Sequence, residues 1–224
     1  MYHNLSSAVN ELYQAFERPM PREVWGCPCC TDAAEMHALL AQPLQMLSVD
    51  VLERYARKAI TTMGSADDLP YFWPRLAELA VARELATETE IVFGKPTLAG
   101  WRARWSAREK AAVEGLARAM VQQMAEEELE ANEVDEWICA IGQLGTDVTE
   151  YLDPLLASTT VAATNLRGLY EYNATSLRQG ELLNPFWEER PGAARLVEWF
   201  NRPEVRAAVD RAYVLTGGSI DPDF

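Results

Sequence analysis

Residues 26–31 read GCPCCT, which places Cys27, Cys29 and Cys30 within four positions, while the fourth cysteine, Cys139, stands alone far downstream. A thiolate is both a soft metal ligand and a nucleophile, so three of them in one loop invite chemistry. His37 follows within two helical turns, and Cys27, Cys29, Cys30 and His37 could together supply the four ligands of a tetrahedral zinc site. Recognised zinc modules space their cysteines C-x₂₋₄-C, and the spacing here is tighter. Redox chemistry is the second reading, because a disulfide inside CPCC closes a small strained ring of the readily reduced kind. A helix beginning near Cys30 would add a dipole that lowers a thiol's pKa. The third reading is packing, since cysteine behaves as a small apolar residue. All three stand open on the sequence alone.

Carboxylates form the other chemical cluster. The run AEEELEANEVDE at 125–136 and the segment TEYLD at 149–153 give Glu127-x-x-Glu130, nineteen intervening residues, then Glu150-x-x-Asp153. This resembles the E-x-x-E … E-x-x-D pattern of all-α nucleotide pyrophosphohydrolases of the MazG type. The resemblance implies that Glu127, Glu130, Glu150 and Asp153 would hold Mg²⁺ against a nucleotide's phosphates. A solvated acidic face accounts for the same residues without any ion. Nucleophile–base chemistry has little to draw on: His3 and His37 are the two histidines, and no G-x-S-x-G, Walker or G-x-G-x-x-G motif is present.

These residues need elements to position them. Leu5, Val9, Leu12, Tyr13 and Phe16 share one helical face ahead of Pro19 and Pro21. Thr31 or Asp32 caps the next helix, with Glu35 completing a capping box, and Pro43 ends or kinks it. Ser48 opens a third helix that Gly64 terminates, and Pro70 and Pro74 mark a fourth helix's entrance, where YFWPR at 71–75 is read as buried packing rather than an exposed aromatic surface. Phe93-Gly94-Lys95-Pro96 reads as a turn. Ser106-x-x-Glu109 is a capping box that opens a long helix through Met124. Helices follow at 134–141, at Leu152–Leu156, at 160–173, and after Pro191 and Pro203. No segment sustains a period of two. The chain is therefore expected to be all-α, with about ten helices in antiparallel pairs that could stack as a HEAT-like or armadillo-like solenoid. Residues 1–216 read as one domain, in which 1–64 could form a subdomain around the cysteines, and 217–224 as a loose tail.

Three segments in order, GCPCCT, PLQMLSVDVLERYARKAITTMG at 43–64 and DDLPYFWPRLAELA at 67–80, resemble the N-terminal arrangement of a family of uncharacterised bacterial proteins. The resemblance spans roughly residues 20–85. It implies a bacterial cytoplasmic protein in which CPCC, the Thr61-Thr62 helix end and the YFWPR entrance form one structural unit, and it assigns no catalytic residue.

Twenty Lys and Arg against thirty-four Asp and Glu leave a net charge of −14. Such a surface repels phosphate backbones and anionic membranes, and no run reaches the ~18 apolar residues of a membrane span. The basic groups Arg54/Arg57/Lys58 and Arg102/Arg104/Arg108/Lys110 read as solvated helix faces. The charge favours a non-enzymatic interaction protein with a protein partner of basic character, in an antitoxin-like or immunity-like role. A Mg²⁺-dependent pyrophosphohydrolase and a metal- or redox-sensing module, with zinc as its ion, are the alternatives.

Overall fold

The apolar stripes and caps of the sequence do become helices. The computed structural model describes residues 4–188 and 190–218, so His3 and the end of the tail from 219 lie outside the described residues. Eleven α-helices and no strand occur among them: α1 Leu5–Ala15, α2 Ala33–Leu39, α3 Val49–Lys58, α4 Leu69–Val81, α5 Thr89–Leu98, α6 Trp101–Arg104, α7 Ala107–Glu126, α8 Ala131–Gln143, α9 Thr160–Leu177, α10 Pro191–Phe200 and α11 Pro203–Thr216. None is long and apolar enough to cross a membrane. The chain divides into two compact units, Leu5–Leu116 and a second built on Ala117–Phe224.

In the first unit α4 is the centre. Every residue of α4 except Arg75 and Glu78 is buried, including Tyr71, Phe72, Trp73 and Pro74 of the YFWPR entrance. Tyr55 of α3 lies against Phe72 with ring centroids 4.6 Å apart, and Trp73 meets Phe93 of α5 edge-on at 5.5 Å. Such pairs contribute about 0.5–1.5 kcal/mol beyond their burial. The two polar residues of α4 are used together: Arg75 Nη1 donates to Glu78 Oε2 at 2.6 Å, and the Tyr13 hydroxyl of α1 donates to the same oxygen at 2.5 Å.

In the second unit α9 is the centre, packed against α8 and α11. Asn165 of α9 is buried, and its amide donates to the carbonyls of Met124 and Glu127 while its oxygen accepts from Leu129 N at 3.0 Å. One side chain thus satisfies the open end of α7 and the turn that follows it.

Three local expectations change, the first being that α3 stops at Lys58 rather than running to Gly64, with Ile60 already at positive φ. Phe93-Gly94-Lys95-Pro96 is not a turn but the middle of α5, where burial of Val92, Phe93, Lys95 and Pro96 outweighs the hydrogen bond that Pro96 cannot make. Leu152–Leu156 is not an α-helix. Residues 148–151 and 153–156 form two 3₁₀ segments, with Asp147 Oδ1 drawing in Thr149 N at one start and Pro154 removing a donor in the other.

Candidate functional site

The cysteine loop is a turn tied to its surroundings by its own backbone. Cys27 N donates to Thr62 O at 2.9 Å, Gly64 N donates to Trp25 O at 2.7 Å, and Gly26 pairs with Met63 in an isolated antiparallel bridge. The carbonyl of Cys27 then accepts from Cys30 N at 2.9 Å, Thr31 N at 3.0 Å and Thr31 Oγ1 at 2.8 Å. Pro28 occupies the position of this turn that its fixed φ suits, and no residue from Cys27 to Cys30 has a positive φ, as in a type I turn. Gly26 is needed for close approach: a Cβ there would overlap Thr31 Oγ1 and stand 3.0 Å from Met36 Sδ. The receiving segment is itself shaped by Ile60, which adopts a φ of 70°, and by Gly64 at 65°.

Arg54 of α3 closes the other side. Its guanidinium donates to the carbonyl of Cys30 and, at 2.5 Å, to Glu35 Oε1. Glu35 also accepts from Asp32 N at 3.0 Å, completing the capping box of α2. Because α2 begins at Ala33, Cys30 stands outside it.

On this frame the three thiols converge. Cys29 Sγ lies 3.1 Å from Cys27 Sγ and 3.3 Å from Cys30 Sγ, and all three sulfurs lie within 4.8 Å of one another. Among the described residues this is the one group of three or more His, Cys, Asp or Glu side chains so placed to hold an ion. Cys29 and Cys30 are exposed, Cys27 is half-buried, and none of the three is in a disulfide. Hydrogen bonding from Cys29 holds the Cys27 thiol below its ordinary pKa, and the same contact with the bond to Cys30 pushes Cys29 up to about 11. Cys27 therefore ionises before Cys29.

The other sequence candidates fall elsewhere. His37 is exposed on α2 and outside the sulfur group; it lines a cleft of about 520 Å³ beside the turn with Arg22, Val24, Pro28 and Met36. Cys139 is buried in α8. Glu127 follows the end of α7, where Gln123 Nε2 donates to it, and Glu130 is the N-cap of α8 in a capping box with Glu133. Glu150 and Asp153 lie in separate 3₁₀ segments. All four are exposed, and they do not share two helix faces. The sequence reading missed Arg54 and the Thr31 hydroxyl as partners of the turn. Nothing in the spacing signals Arg54, which lies 24 residues from Cys30 and reads locally as part of a solvated face.

No protein-family model, curated protein or solved structure matches this chain.

Proposed function

We propose that the chain is a helical module whose Cys27–Cys30 turn binds a thiophilic metal ion through three thiolates. The observation that carries this reading is the convergence of three accessible sulfurs within 4.8 Å on a turn held at Thr62, Trp25 and Arg54. Ordering flexible ligands costs free energy when an ion binds, and a turn already fixed by its backbone has met most of that cost. Thiols in this state belong in a reducing compartment such as the cytoplasm. Elemental analysis of the full chain purified without chelator, paired with titration of free thiols, tests the reading. One soft metal ion per chain, lost in Cys29→Ser, supports it. No metal with three reactive thiols overturns it, and two missing thiols without metal replace it with a redox role.

A second reading rests on charge. The net −14 and the exposed Glu126, Glu127, Glu128 and Glu130 suit a basic protein partner whose association is steered electrostatically. Capture from native cells at low and high salt tests it, and the absence of any salt-sensitive partner would reject it.

A further inference from the structure

We infer that the turn is built for a three-coordinate pyramidal ion, with trivalent arsenic as its representative, rather than for tetrahedral zinc; this rests on the thiolate reading above. Ligand number is the first argument. A structural zinc site closes with four protein ligands, and among the described residues no fourth His, Cys, Asp or Glu joins Cys27, Cys29 and Cys30. His37, the fourth ligand suggested by the sequence, lies outside the group.

Spacing is the second. Tetrahedral zinc with bonds of about 2.3 Å holds its sulfurs about 3.8 Å apart. An ion with a lone pair compresses its bond angles towards a right angle, and at the same bond length its sulfurs stand about 3.3 Å apart. The Cys27–Cys29 and Cys29–Cys30 separations of 3.1 and 3.3 Å match the pyramidal geometry as they stand. The third pair, Cys27 and Cys30, lies within 4.8 Å.

The third is chemical balance. Arsenous acid, As(OH)3, exchanges its three hydroxides for three thiols: three S–As bonds form and three As–O bonds break. Each thiol proton leaves with a departing hydroxide as water. Arsenic stays trivalent, no sulfur is oxidised, and the neutral product needs no counter-charge from the protein. Three thiolates satisfy every valence of such an ion without a fourth donor.

The reduced full-length chain is titrated with arsenite, with Zn²⁺ and with Cu⁺ in separate arms, followed by native mass spectrometry, thiol titration and near-ultraviolet S–As absorbance. One arsenic per chain with loss of three reactive thiols is expected, together with displacement of arsenic binding by neither zinc nor Cu⁺ at equal concentration. Cys29→Ser and Cys30→Ser, at exposed positions where folding is checked by circular dichroism, are expected to weaken arsenite binding by about tenfold or more. Tighter one-to-one binding of zinc or Cu⁺ than of arsenite overturns this inference and leaves the thiolate reading intact. Three free thiols that bind none of the three ions overturn both.

Discussion

The amide of Cys27 donates to the carbonyl of Thr62 at 2.9 Å, joining the cysteine turn to the end of α3 across 35 positions of sequence. Through Gly64, whose absent Cβ leaves room for the Tyr55 ring, and through Tyr55 against Phe72, the same contact leads on to the entrance of α4. The turn is therefore seated on the core of its unit.

The first expectation concerns thiol reactivity. Cys27 is held below its ordinary pKa and Cys29 is raised to about 11, so alkylation near neutral pH should mark Cys27 ahead of Cys29, which labels only under alkaline conditions. Peptide mapping after brief iodoacetamide pulses across the pH range measures this. Equal labelling of the two at neutral pH would contradict the hydrogen-bonded arrangement.

Gly26→Ala tests the close approach. The added methyl must displace Thr31 or Met36, and overpacking of this kind costs typically 1–3 kcal/mol. A lowered Tm together with faster labelling of all three thiols is expected. An unchanged Tm would mean that the turn yields freely.

Lys95 gives a pH dependence. It is 3% exposed, its Nζ donates to Arg57 O at 2.7 Å, and desolvation followed by repulsion from Lys58 lowers its pKa to about 8. The unfolded chain, with a Lys pKa of about 10.4, binds the extra proton between those values, so stability rises with pH across that window. Below about pH 8 both states are charged and the native state carries the burial penalty in full. Urea midpoints of the wild type should rise relative to Lys95→Met from about pH 8 to 10, with a slope of at most about 1.4 kcal/mol per pH unit. A constant difference would contradict the shift.

Asn165→Leu tests the staple behind α7. It strips partners from the carbonyls of Met124 and Glu127 and from the amide of Leu129, and unsatisfied buried groups of this kind cost about 1–3 kcal/mol each. A loss of about 3 kcal/mol or more in denaturant unfolding is expected, because solvent can reach part of this turn but not all three groups.

What the sequence disclosed was local. Asp32-x-x-Glu35 and Ser106-x-x-Glu109 are capping boxes in the structure, as their spacing implies, because both bonds of such a box lie within one turn. The burial of Tyr71, Phe72, Trp73 and Pro74 was legible from their place at a helix entrance. The box at Glu130 and Glu133 was not, since Glu is not among the favoured N-caps. Phe93–Pro96 misled because Gly and Pro are local turn signals, while the burial that overrides them comes from α3 and α4. The convergence of the three sulfurs follows from adjacency, and so could be anticipated. The guanidinium that closes the turn could not: Arg54 meets it only after α3 has folded back on it.

The exposure of Cys29 and Cys30 on a firmly seated turn also fixes a rate law. No segment has to open before a thiophile reaches them, so capture is second order, set by encounter and thiolate fraction, and indifferent to mild denaturant.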